Sequence, residues 1–239
     1  MSGLALPPGG DPSNVSAEAD SGIAFEFDYP LPHPDAANLI WYWPGVEMSA
    51  YRIRIDLART RHVGDYYKLR LKFAGGPDDD LEALRTTFVI PKHFGRLENY
   101  PLQGSLGRVQ TFDTISSVAV TGATHARLIV EIAKKYGFRP DGAVLDWGVG
   151  HGRVARFLRE FGVTGRICGV DIDPTNIAWA REHLPKIDFV AGPLMPPLPY
   201  PDASFDLVFG ISMMTHLARD VQDAWLGEIK RILTPGGIA

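Results

Sequence analysis

The 239-residue chain has one cysteine, Cys168. That excludes an intrachain disulfide and a cysteine-based zinc cluster, and makes a reducing compartment the expectation. The chain also lacks an apolar run of the roughly 20 residues that a membrane-spanning helix requires. Its first residues have no basic start followed by an apolar core, so no secretory signal is read there. Charge of one sign is not in large excess either. The formal net charge is −4, which leaves no broad basic footprint for a polyanion. These absences point to a cytoplasmic protein with no membrane and no nucleic acid evident among its partners.

What is present changes character along the chain. Residues 1–21 are rich in Gly, Pro, Ser, Ala and Asp and read as a disordered tail. Residues 22–115 read as a small antiparallel β-rich domain, with a sandwich as its expected form. Tyr51-Arg-Ile-Arg-Ile-Asp-Leu57 and Tyr67-Lys-Leu-Arg-Leu-Lys-Phe73 alternate apolar and polar residues, as half-buried strands do. Phe25–Phe27, Leu39–Trp43 and Thr86–Ile90 are further strand candidates. The turn cluster Gly75–Asp80 separates two of them. The basic stripe Arg52, Arg54, Lys68, Arg70 and Lys72 reads as the wet face of this sheet. From residue 116 to 239, strands and helices alternate, the pattern of an α/β fold with a doubly wound, mostly parallel sheet.

The chemistry is concentrated at Val144-Leu-Asp-Trp-Gly-Val-Gly-His-Gly-Arg-Val154. An apolar strand ends at Asp146, and a helix is expected over Arg153–Glu160. Gly148, Gly150 and Gly152 fall in the turn between them. Glycine tolerates positive φ and lets a ligand approach the main chain, and amides at a helix start add positive charge. About 20 residues later, Asp171 ends the second strand, where an acid can accept hydrogen bonds from ribose hydroxyls. Asp173 precedes Pro174 and reads as a helix cap. The spacing is G-x-G-x-G, with Arg153 where the dinucleotide fingerprint G-x-G-x-x-G has its third glycine. Asp146 would repel a diphosphate and attract an ammonium group.

Leu145-Asp-Trp-Gly-Val-Gly-His-Gly152 resembles the first motif of class I S-adenosylmethionine-dependent methyltransferases, and Gly169-Val-Asp-Ile-Asp-Pro174 resembles their second. Pro199–Val208 and Leu233–Gly237 resemble the stretches that lead into the family's fourth and fifth strands. The resemblance spans about residues 120–239 and implies a Rossmann-like fold. It also implies S-adenosyl-L-methionine as cofactor and a small-molecule methyl acceptor, a sugar or a lipid-linked precursor being the class considered. By the same resemblance, the Gly148–Gly152 turn would lie beside the methionyl and ribose parts of the cofactor. Asp146 would sit near its amino group and Asp171 on the ribose. Ile172, Gly192, Pro193 and Leu194 would border the adenine, and Gly210 and Ile211 would face the cofactor and the acceptor. Where the family often has an acid to meet the adenine amine, this chain has Gly-Pro-Leu-Met.

His216, soon after the fourth strand, has the titration range of a general base; capping or packing at the helix start is the other reading. His151 reads as structural. The chain stops soon after Thr234-Pro-Gly-Gly237, so the sheet is expected to be incomplete at its C-terminal side. A missing segment or a partner would then complete it, and the isolated chain would be less stable and turn over weakly. Two other functions remain open: a non-catalytic methyltransferase-like module that binds the cofactor or serves assembly, and a nicotinamide-dependent oxidoreductase.

Overall fold

The computed structural model describes residues 2–40, 42–56, 59–60, 65–74, 83, 85–91, 100–101 and 115–239. The expected turn at Gly75–Asp80 lies outside the described residues. The chain divides into two compact units, Met1–His93 and Phe94–Ala239.

Among the described residues, the first unit contains six strands: β1 (Ser2–Leu4), β2 (Val15–Ala19), β3 (Phe25–Leu31), β4 (Ala50–Ile55), β5 (Tyr66–Phe73) and β6 (Thr87–Pro91). They form two three-stranded antiparallel sheets, ordered β1-β4-β3 and β2-β5-β6. Inward positions of both sheets share one core, including Val15, Tyr51, Ile53, Leu69 and Leu71. Residues 1–21 depart from the expected disordered tail, because β1 pairs with β4 and β2 with β5. Composition hid the alternation Val15, Ala17, Ala19, whose apolar side meets that core.

The expected strand at Leu39–Trp43 is also replaced. A short helix, α1 (Ala36–Leu39), ends in a turn in which the Trp43 amide bonds the Ile40 carbonyl at 3.0 Å. Pro34 and Pro44 bracket the segment and leave little room for a ladder. Arg54, Arg70 and Lys72 of the basic stripe are paired across strands. Arg54 reaches Glu26 at 3.0 Å and Asp28 at 2.9 Å, and Lys72 reaches Glu18 at 2.8 Å.

The second unit opens with the long helix α2 (Ile115–Lys135). Five strands then build a parallel sheet: β7 (Val144–Trp147), β8 (Ile167–Asp171), β9 (Asp188–Ala191), β10 (Phe205–Phe209) and β11 (Leu233–Ile238). Helix α3 (Pro174–His183) links β8 to β9, and α4 (Arg219–Ile232) links β10 to β11. The order is β11-β10-β7-β8-β9. β7 therefore stands where the winding reverses, with β8 on one side and β10 on the other.

The fifth strand, expected to be missing, is present: β11 pairs in parallel with β10, Leu233 beside Phe205 and Ile238 beside Leu207. Pro235, Gly236 and Gly237 make this stretch read as a turn. The apolar neighbours and the Thr234 hydroxyl, bonded to Asp206 at 3.0 Å, hold it in the sheet nonetheless. The other Asp206 oxygen accepts the Ala143 amide at 2.7 Å, which ties three strands at one end.

The expected first core helix is not a regular α-helix. It is a run of tight turns around a 3-10 segment, Ala155–Phe157. Phe157 bonds Val154 and Leu158 bonds Ala155, both three residues back. Val154, Ala155, Phe157 and Leu158 are all buried. Over two turns that spacing fits a period of 3.0 as well as 3.6. α2 presses closely on this segment: a Cβ on Gly122 would overlap the Arg153 carbonyl oxygen and lie 2.9 Å from the Phe157 ring.

Candidate functional site

Because the sheet is parallel, the C-terminal ends of its strands lie along one edge. Gly148 follows β7, Asp171 ends β8, Gly192 follows β9 and Gly210 follows β10. In open α/β sheets the ligand crevice opens at this edge, at the point where the winding reverses. Here that point lies between β7 and β10, where Gly148 and Gly210 stand. A Cβ on Gly210 would come within 2.9 Å of the Trp147 carbonyl oxygen, so the two strand ends are in close contact.

The three glycines share positive φ (77°, 55° and 79°) but have different surroundings. Gly148 borders the crevice, and the space where its Cβ would stand holds the side chain of Met213. Gly150 donates its amide to Asp171 Oδ2 at 2.8 Å. Gly152 faces the interior, where a Cβ would lie 2.5 Å from Leu184 Cδ1 and 3.3 Å from Phe189 Cζ. Its conformational freedom therefore serves packing as much as the turn.

Asp171 is a clamp. Its second oxygen accepts the Asp173 amide at 2.8 Å, so one carboxylate joins the glycine turn to the start of α3. Each oxygen keeps further acceptor capacity for a hydroxyl. Asp173 caps α3 by accepting the Thr175 amide at 2.8 Å, with Pro174 at the first helical position.

Asp146 is 4% exposed. Burial pushes its carboxyl up to about 7, against the pull of the Arg153 guanidinium and the Ala155 amide it accepts, while the negative Asp171 adds to the rise. Arg153 in turn approaches His125 Nδ1 at 3.0 Å. Burial and then Arg153 push His125 down to about 4. Asp146 thus lies beneath the glycine turn, engaged with the chain that follows it.

Arg153 and Arg156 are drawn inward. Arg156 stacks on Tyr100 at 4.6 Å and bonds the carbonyls of Gly152 and His151 at 3.1 and 3.3 Å. The His151 ring is 0% exposed, edge-on to Trp179 at 5.9 Å. Among the described residues, neither of its ring nitrogens has a hydrogen-bond partner. Burial, followed by Arg156, pushes it down to about 4.

On the adjacent ends of β8 and β9, Ile172 and Leu194 are 56% and 64% exposed. Gly192 anchors that edge by donating to the Asp171 carbonyl at 2.8 Å, and Pro193 is exposed beside it. The Leu194 carbonyl accepts the Trp225 indole N–H at 3.3 Å. Ile211 is half-buried after β10. His216 closes the 3-10 turn Met214–His216, and its side chain lies outside the described residues. A cavity of about 320 Å³ lies at the opposite end of the sheet. Its charged side chains are already engaged: Arg139 pairs with Asp141 at 2.7 Å, and Asp206 holds Ala143 and Thr234.

Met213 carried no signal in the sequence, since only the tertiary path of the Gly210–Leu217 segment brings it onto Gly148. The residues at the crevice fit S-adenosyl-L-methionine. A glycine face where a Cβ would clash, an acid at the second strand end and exposed apolar residues beside it match an amino-acid arm, a ribose and a purine.

Comparison with known proteins gives the same reading. The family model described as a methyltransferase domain matches residues 144–237. Sterol 24-C-methyltransferase ERG6B of Gibberella zeae is 37% identical over 114 residues, 45% of this chain and 29% of that protein. Methyltransferase GfsG of Streptomyces halstedii is 29% identical over 187 residues, 75% of this chain and 56% of that protein. A solved TehB-like SAM-dependent methyltransferase from Corynebacterium glutamicum aligns at 27% identity and a TM-score of 0.46, over 56% of this chain and 71% of that one. The matched stretches thus span 29% and 56% of the length of these two curated relatives. Residues 144–237 thus match a methyltransferase domain, which supports the class I S-adenosylmethionine-dependent family for that stretch.

Proposed function

We propose that the protein transfers a methyl group from S-adenosyl-L-methionine to a small-molecule acceptor. The observation that carries this reading is the edge at which the Gly148–Gly150 turn, the Asp171 carboxylate and the exposed Ile172 and Leu194 meet. When bound, the cofactor supplies a methyl group already activated on a sulfonium. The chain's task is then alignment and exclusion of water rather than bond polarisation.

Gly148 and Gly150 offer main chain to the amino-acid arm, and Asp171 accepts the ribose hydroxyls. Ile172, Gly192, Pro193 and Leu194 line the purine. Gly152 supports the turn from behind, and Asp146 acts on the ammonium group from beneath it. Gly210 and Ile211 border the acceptor, and His216 is the base for an acceptor that arrives protonated. The sterol named for the Gibberella relative supports a small, apolar acceptor class, a lipid-linked precursor among them.

Calorimetry with S-adenosyl-L-methionine and with S-adenosylhomocysteine tests this. Micromolar binding of both, with NAD failing to compete, is expected. A folded protein that binds neither would sink the reading.

A further inference from the structure

Met213 lies in the crevice where the winding reverses. A Cβ on Gly148 would overlap its Sδ and stand 2.7 Å from its Cγ and 2.8 Å from its Cε. A Cβ on Gly210 would stand 3.2 Å from the same Cγ. One thioether side chain therefore covers both strand ends that define the crevice. It is half-buried and packs on the core that contains Trp147 and Trp225.

The segment that carries it is built to hold this position. Ser212, just before it, has φ 60°, a left-handed conformation that non-glycine residues rarely adopt. The Thr215 hydroxyl bonds the Ser212 carbonyl at 2.7 Å, and Gln222 of α4 bonds the carbonyls of Met214 and Leu217 at 2.9 and 3.0 Å. The polar anchors lie on either side of Met213, and among the described residues its own side chain is held by apolar contact. It can leave the crevice without breaking a hydrogen bond of its own.

We propose that Met213 is a cofactor-gating residue, an internal plug whose thioether occupies the Gly148 cradle and must leave before S-adenosyl-L-methionine enters. The proposal rests on the cofactor reading above. The plug is chemically matched to what it excludes: a methionine side chain presents the same methylene–sulfur arm as the amino-acid end of the cofactor and its demethylated product. The surface that receives one therefore receives the other. Closure shields the apolar crevice before binding. Binding then replaces the Met213 thioether with the ligand's own sulfur arm, a sulfonium in the cofactor and a thioether in its demethylated product, and releases the Ser212–His216 segment.

A ligand competing with a plug that is closed nine times in ten binds about tenfold more weakly than it would to the open site. The probe is S-adenosylhomocysteine, which binds without reacting. Met213→Ala is expected to tighten its binding about three- to tenfold by calorimetry. Met213→Leu, which keeps the bulk, is expected to stay within twofold of the parent protein.

A second readout needs no variant. Met213 should be oxidised faster by dilute peroxide when S-adenosylhomocysteine is present, scored by peptide mass spectrometry against Met48 in the other unit, which is 42% exposed. If the ligand instead protects Met213 and Met213→Ala weakens binding, the residue is a wall of the site and the plug is refuted. If the parent and both variants bind no S-adenosylhomocysteine, the cofactor reading itself fails and takes this proposal with it.

Discussion

Removing the Asp171 carboxylate should destabilise the protein before any ligand is added. Its two oxygens accept the amides of Gly150 and Asp173, both at 2.8 Å. A hydrogen bond to a charged group contributes about 1.5–3 kcal/mol. Gly150 is buried, so its amide finds no ready substitute, whereas the half-buried Asp173 amide regains part of its bond from water. The net cost of Asp171→Ala is therefore about 2–4 kcal/mol. For a unit of this size that is roughly 5–15 °C in melting temperature.

Asp171→Asn is not a rescue. Its side chain keeps one acceptor and sets its own N–H group against the other amide, so it should fall within about 1 kcal/mol of the alanine variant. Urea unfolding of the ligand-free protein measures both. Hydrogen exchange across residues 144–158 should show the Gly150 amide deprotected. If Asp171→Ala unfolds at the parent midpoint with Gly150 still protected, the carboxylate is not a clamp. If the clamp holds, loss of cofactor affinity in this variant measures the turn and the ribose contact together.

Three further outcomes follow from the same packing. Gly122→Ala would gain up to about 1 kcal/mol of helix propensity, yet its Cβ overlaps the Arg153 carbonyl. A net loss of about 2–3 kcal/mol in urea is expected, and a neutral result would refute the close approach of α2. Asp146 has a folded pKa of about 7 against 3.8 as a free group. The folded state therefore holds an extra proton between those values, and the stability this contributes is full below about pH 4 and lost as pH rises through 7. Asp146→Asn should flatten that decline and gain on the parent protein from pH 5 to pH 8; parallel curves would show that Asp146 does not titrate there. His151 has the opposite sign. Its folded pKa of about 4 lies below the free value of 6.5, so its contribution is present above pH 6.5 and lost as pH falls toward 4. His151→Phe also removes two buried nitrogens that have no partner among the described residues, and should match or exceed the parent in stability at pH 7 and lose less of it at pH 5.

The second unit was legible because its signals are local. A short apolar run before Gly148, alternate glycines and an acid at the next strand end mark a strand, a glycine turn and the strand beside them. Asp173-Pro174 marked the start of α3 for the same reason, since a cap acts within its own turn. Local pattern failed where long-range contacts decide. Val15–Ala19 looks like part of a tail until β5 supplies its partner. Leu233–Ile238 looks like a turn until Phe205 and Leu207 lie beside it. The spacing of Val154, Ala155, Phe157 and Leu158 does not distinguish a 3-10 turn from an α-helix.

The division at the crevice follows the same rule. The sequence by itself determined which residue types stand at the strand ends, because periodicity and turn chemistry act over a few residues. Only the tertiary structure decided what each one touches. Gly152 faces Leu184, Asp171 holds two amides, Asp146 is sealed beneath the turn, and Met213 covers Gly148 from more than 60 residues away. Contacts between residues distant in the chain depend on how whole strands and helices pack, and no local spacing encodes that.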